Sequence, residues 1–124
     1  MTASPESIAL AIEAAAAASD KLADDIVAFD VSDQLAIADV FLLCSAPNDR
    51  QVRAVVDAIE ERLAIVGAKP ARREGEQGAH WVLLDYLDLV VHVLRAEDRV
   101  YYSLERLWKD CPVVQLPVEA EVRR

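Results

Sequence analysis

Four aspartates, Asp30, Asp39, Asp85 and Asp88, stand where apolar runs begin or end. Carboxylates gathered at strand ends can hold a divalent cation for phosphoryl or nucleotidyl transfer. That chemistry also needs a turn that offers backbone N–H groups to a phosphate. Here Ser45-Ala46-Pro47-Asn48 contains no glycine, and Pro47 removes a donor where the cradle would want one. Neither a Walker-type loop nor a dinucleotide fingerprint occurs. Acids at strand ends more often cap and form turns, by roughly four to one. A Mg²⁺-dependent transferase using Asp39, Asp85 and Asp88 is therefore the alternative, not the leading expectation.

The two histidines, His80 and His92, lack the Cys/His spacing that a zinc site needs. His92 lies within an apolar run, where a histidine with one hydrogen-bond partner is the ordinary occurrence. Cys44 and Cys111 sit in apolar or proline-flanked settings, with nothing beside them to activate a thiolate. Both read as reduced thiols of a cytoplasmic protein. No catalytic residue, metal or cofactor is expected.

Trp81 is the residue with the most open role. Period-two alternation puts Trp81 and Asp85 on one face of a strand, and a rigid ring beside a carboxylate resembles a binding hot spot. A core tryptophan is the competing role, and on these grounds the two weigh about evenly. Trp108, at the end of an amphipathic helix, fits a core position better.

The element that would present these side chains is His80–Leu94, HWVLLDYLDLVVHVL, read as two paired strands with a tight turn at Asp85-Tyr86-Leu87-Asp88. Tyr86 and Leu87 are poor candidates for positive φ, which favours a four-residue type I connection. Upstream, Ser4-Pro5-Glu6 starts a helix with an apolar stripe of Ile8, Ile12 and Ala15 or Ala16. Ile26–Val31 reads as a strand, and Val40–Ser45 as a central strand covered on both faces. Asn48, with Gln51 three residues on, opens a helix striped by Val52, Val55, Val56, Ile59, Leu63 and Val66, with Gly67 ending it. Lys69–Glu74 suits an edge strand because Pro70 removes a ladder donor. A last helix runs through Leu104, Leu107 and Trp108. The sum is an α/β fold: a mixed sheet of about five strands flanked by helices.

At 124 residues and 54% hydrophobic content, the chain suits one globular domain, expected over residues 1–110, with 111–124 a loosely attached tail. No apolar run reaches the roughly 18–20 residues that span a bilayer, and the alanine-rich start lacks the basic region of a signal peptide. The net charge of −9 disfavours direct nucleic-acid binding. Residues 1–49 hold nine acidic side chains against Lys21 alone, so this part should attract a basic protein surface.

In order and spacing, these segments resemble the ribosomal silencing factor family, also called iojap-like. The residues that carry the resemblance are Asp30, Ala38-Asp39-Val40-Phe41, Ser45, Arg50-Gln51-Val52, Gly67-Ala68-Lys69-Pro70, Glu74-Gly75, Trp81-Val82-Leu83-Leu84-Asp85, Asp88, Val91-His92-Val93, Arg99 and Tyr102–Trp108. The resemblance implies a nucleotidyltransferase-like fold without the catalytic turn, and no enzymatic activity. It implies binding to a large-subunit ribosomal protein on the intersubunit face, which blocks subunit joining and represses translation during nutrient limitation or stationary phase. Assistance to large-subunit biogenesis and a homodimer are also implied. Trp81, Asp85 and Asp88 are expected as anchors, with Leu84 and Tyr86 as supporting contacts. This chain departs from the family pattern at Leu87, where a glycine usually makes the turn, and at Pro47.

Overall fold

The computed structural model describes residues 2–35, 38–75, 77–102, 106 and 108–116. Ser4 caps the first helix, α1 (Pro5–Asp20), with its hydroxyl accepting from the Ser7 N–H at 3.1 Å. The buried face of α1 is alanine and serine, namely Ser7, Ala11, Ala14, Ala15, Ala17 and Ala18. Ile8 and Ile12, expected to lead the stripe, are only half-buried at its margin. The small side chains let the helix backbone approach closely, so bulk is not needed on that face.

Seven-residue strands β1 (Asp24–Asp30) and β2 (Val40–Ala46) pair antiparallel. After β2, Asn48 caps α2 (Asp49–Ile65) by accepting from the Gln51 N–H at 2.9 Å. Val52, Val55, Val56, Ile59 and Leu63 are buried as one stripe, each burial contributing about 1.5–3 kcal/mol. Val66, expected to continue it, is the C-cap residue and is exposed, because the chain leaves the helix there. The α2 C-terminus closes with Gly67 at φ +89°, where the Gly67 N–H donates to Ala64 and the Ala68 N–H donates to Leu63. The same double closure ends α1, but there Leu22 takes the left-handed position at φ +62°.

The remaining strands are β3 (Arg72–Glu74), β4 (Trp81–Asp85), β5 (Leu89–Arg95) and β6 (Val113–Val114), with α3 (Ala96–Tyr102) after β5. Their order in the sheet is β3-β4-β5-β2-β1-β6. β2 and β5 pair parallel, while β4 pairs antiparallel with both β5 and β3. β3 therefore runs parallel to β2, and α2 makes the connection between them. The fold class expected from the sequence is the one observed, an α/β fold with a mixed sheet, now of six strands.

The sixth strand corrects the expected boundary at Asp110. Val113 and Val114 pair with Phe29 and Ala28, Cys111 is buried, and Leu116 packs into the main core. The apolar Val-Val step completes a sheet edge, so residues 111–116 are attached to the fold. Residues 117–124 lie outside the described residues, as do Leu104 and Leu107 of the expected last helix.

α1 and α2 cover one face of the sheet over Ile26, Ala28, Leu42, Cys44, Val82, Leu84, Tyr86, Val91 and Val93. The opposite face carries a second, smaller cluster: Phe29, Val31, Ala38, Leu43, Leu94 and Cys111, with Phe41, Trp81, Val90 and Trp108 packed partly against it.

Candidate functional surface

Strand alternation decides which β4 side chains a partner can reach. Val82, Leu84 and Tyr86 point beneath the helices and are buried, while Trp81, Leu83 and Asp85 point to the opposite face and are half-buried. Trp81 and Asp85 share a face, as period two requires. Leu84 and Tyr86 do not join them. Leu84 is fully enclosed, and Tyr86 is 7% exposed and lies near the Glu60–Arg73 ion pair. Burial pushes the Tyr86 phenol up to about 12, with the Glu60 charge adding to it and Arg73 opposing. These two side chains support the strand from below instead of meeting a partner.

Cross-strand register aligns the half-open face in rows. Asp85 lies opposite Val90, which lies opposite Phe41; Leu83 lies opposite His92, which lies opposite Leu43. Phe41 stacks edge-on with Trp108 at 5.1 Å and tilts against His92 at 5.0 Å. Trp81 donates its indole N–H to His92 Nδ1 at 3.1 Å. Burial depresses the His92 imidazole to about 4, so the ring is neutral and keeps the lone pair that receives this bond. An aromatic face of this kind is fixed by packing before any partner arrives.

Asp85 and Asp88 sit at the other end of the hairpin. Arg72 on the edge strand approaches Asp85 at 3.6 Å and Glu74 at 3.5 Å. Asp85 Oδ1 also accepts from the Leu87 N–H at 2.8 Å. Leu87 has φ +74°, and the Asp88 N–H donates back to the Tyr86 carbonyl at 3.0 Å. This is a γ-turn with positive φ, a rare and strained form. The expected type I connection is therefore corrected: the turn is tighter, and the leucine takes the glycine-favouring conformation. The Asp88 carbonyl accepts from the N–H groups of both Asp39 and Val40, which ties the tip to the start of β2.

The carboxylates proposed for a Mg²⁺ site do not converge. Asp39 Oδ2 accepts from the Ser4 N–H at 2.9 Å and the Ser7 hydroxyl at 3.0 Å, securing the start of α1. Asp30 does the same for the preceding residue, accepting from the Ala3 N–H at 2.9 Å and from Ser32. Partial burial works to raise the Asp30 pKa, but the bonds from Ser32 and Ala3 outweigh it and leave the carboxyl below its ordinary value. Among the described residues no group of three His, Cys, Asp or Glu is placed to hold a metal ion. Cys44 is buried, which pushes its thiol up to about 12 despite the opposing Arg99 charge; it is no nucleophile. No helix among the described residues is long and apolar enough to cross a membrane.

A family model described as "Ribosomal silencing factor during starvation" matches residues 4–124. The chain belongs to the ribosomal silencing factor family. A Bacillus subtilis ribosomal silencing factor is 43% identical over 103 residues, covering 83% of this chain and 87% of the relative. The Halalkalibacterium halodurans factor is 40% identical over 100 residues, covering 81% and 86%. The chloroplastic Iojap protein of Arabidopsis thaliana is 29% identical over 114 residues, which is 92% of this chain and 48% of that protein.

Solved structures agree with that membership. A crystal structure from Chromobacterium violaceum superposes with a TM-score of 0.79 at 30% identity, covering 82% of this chain and 84% of the other. One from Bacillus halodurans gives 0.75 at 35% identity, covering 91% and 100%. The bacterial relatives are named as silencing factors and not as enzymes. The ribosomal silencing factor match also runs past Asp110 to residue 124.

Proposed function

We propose that the chain represses translation by docking on the large ribosomal subunit and excluding the small subunit from the joining face. The partner is a basic ribosomal protein at that interface, met through Trp81, Asp85 and Asp88. One observation supports this assignment: a silencing-factor fold leaves Trp81 and Asp85 partly exposed on the sheet face opposite the helix pair. Ribosomal proteins are basic because they neutralise RNA phosphate, and a chain of net charge −9 complements them while being repelled by RNA itself.

Occupancy is mechanism enough. A docked domain of 13.7 kDa blocks a second subunit by volume, and no bond is made or broken. The work takes place in the cytoplasm, where ribosomes join, and the same contact would accompany late assembly of large subunits. A homodimer using the hairpin surface would compete with docking. Trp108 is half-buried against Phe41 and adds aromatic surface there; the side chains of Tyr101 and Tyr102 lie outside the described residues.

Sedimentation of purified subunits with and without the chain tests the reading. Co-migration with the large subunit and fewer joined ribosomes is the expected result. Joining that proceeds unchanged at saturating protein would refute it. Light scattering of the free chain, showing only a 13.7 kDa species at working concentration, would remove the homodimer.

A further inference from the structure

Leu87 is 64% exposed at the very tip of the hairpin, with φ +74°. A left-handed backbone is costly for any residue with a Cβ, and leucine lacks the local hydrogen-bonding group that helps Asn or Asp bear it. Exposing its apolar side chain adds to that cost. Glycine would remove both penalties. The surrounding bonds keep the strain in place: the Leu87 N–H is held by Asp85 Oδ1, the Asp88 N–H by the Tyr86 carbonyl, and the Asp88 carbonyl by Asp39 and Val40. The Tyr86 N–H donates to the Leu89 carbonyl at 2.8 Å and closes the loop. The leucine is thus held on a stiff turn, and an anchor that is already ordered loses little entropy when a partner takes it up.

We infer that Leu87 is an apolar anchor for the same basic partner, received by an apolar socket rimmed with lysine or arginine side chains. The inference rests on the docking function proposed above and adds its centre of contact. Charge chooses the occupant. Asp85 and Asp88 flank the leucine, and a second copy of this acidic chain would bring like charges against them. A rim of cations meets the exposed Asp88 and reinforces the Arg72 pairing of Asp85 while the socket covers the leucine.

Leu22 supplies an internal control. It is 70% exposed with φ +62° and has Asp20, Asp24 and Asp25 near it, but it lies at the end of α1, away from the hairpin that carries the docking surface. Leu22→Gly and Leu87→Gly should each raise the melting temperature by roughly 3–6 °C, since each relieves the same backbone strain. Only Leu87→Gly should weaken co-sedimentation with purified large subunits, by about 10-fold or more. Leu87→Asn, which tolerates the turn but is polar, should lose affinity as Leu87→Gly does. The opposed movement of stability and affinity separates an anchor from a merely tolerated strain.

Leu87→Gly binding within about twofold of the parent chain would overturn the inference while leaving the docking function intact. So would a Leu87→Gly chain that loses self-association with ribosome binding unchanged. Failure of the parent chain itself to co-sediment would overturn the docking function and this inference with it.

Discussion

The Trp81 indole N–H donates to His92 Nδ1 at 3.1 Å, across two paired strands. This bond fixes the ring orientation and occupies the polar edge of Trp81 within the sheet, so its N–H is already satisfied. It also assigns the imidazole tautomer: Nδ1 accepts, and the proton stays on Nε2. Burial keeps the imidazole neutral, because a charged ring would lose its water without gaining a counter-ion. His92 lowers to about 4 in the folded chain, against 6.5 for the ordinary group. Between those values the unfolded chain binds the extra proton, so stability is full above about pH 6.5 and falls as the pH drops to about 4. The loss is about 3 kcal/mol at the low end. Urea unfolding across that range, in the parent and in His92→Gln, measures it. The variant should flatten the slope; an unchanged slope would move the effect to other groups, such as the hydrogen-bonded Asp30.

Gly75 shows what holds the other end of β4. It has φ +83°, and a Cβ built there would lie 2.0 Å from the Trp81 carbonyl oxygen and 3.1 Å from its carbon. Both atoms are backbone, so nothing can swing away. Gly75→Ala should destabilise the fold by at least about 2 kcal/mol, from the clash and the left-handed backbone together. Because the displaced carbonyl belongs to Trp81, large-subunit binding should fall too. A variant with parental stability would mean that the 75–80 loop shifts without cost.

The sequence carried the elements whose signals are local. The Asn48 cap, the α2 stripe from Val52 to Leu63 and Gly67 past its end all reappear at their residues, with Val66 alone falling outside the buried face, because capping and periodicity are decided within one or two turns. Trp81 and Asp85 on one strand face also followed from spacing alone. Three features were not legible. Tyr86 continues the buried side of β4 past the strand's last residue, which no turn propensity reveals. Leu87 takes positive φ because Asp85, Asp88, Asp39 and Val40 together hold the turn, and those bonds join two segments more than forty residues apart. Val113-Val114 becomes a strand only because β1 leaves an edge open to receive it, and Pro112 and Pro117 masked so short a signal.

The two carboxylates at the hairpin tip separate charge from structure. Asp85 accepts the Leu87 N–H, whereas the bonds made by Asp88 in the turn come from its main chain. Asp88→Lys therefore leaves the turn intact and reverses one exposed charge. Its stability should stay within about 0.5 kcal/mol of the parent. Its association rate with large subunits should fall severalfold at low salt, with the difference narrowing as salt rises. Asp85→Asn keeps the acceptor for Leu87 while removing the charge and its pairing with Arg72, so it should behave in the same direction. Association rates that ignore both changes would place the partner elsewhere on the molecule.

Asp39 is where an enzymatic and a structural role give opposite expectations. As a structural group its Oδ2 accepts two donors, the Ser4 N–H and the Ser7 hydroxyl, at the positive end of α1. Removing it strips the Ser4 N–H of its acceptor and leaves the buried Ser7 hydroxyl only Ser4 Oγ, while the Ser4 hydroxyl still caps the Ser7 N–H. Asp39→Ala should therefore cost about 1–3 kcal/mol, read by urea unfolding. The N-terminal turn of α1 should also exchange its amide hydrogens faster. Large-subunit binding, scaled to the folded fraction, should not change, because Asp39 lies on the helix-anchoring side and not beside Trp81. A metal-dependent role predicts another pattern: heat of Mg²⁺–nucleotide binding in the parent, lost in the variant, with stability little affected. Calorimetry at millimolar Mg²⁺ and nucleotide decides between them. No heat in the parent, together with destabilised Asp39→Ala, is the expected pair; heat that vanishes with Asp39 would make the carboxylates a reaction centre after all.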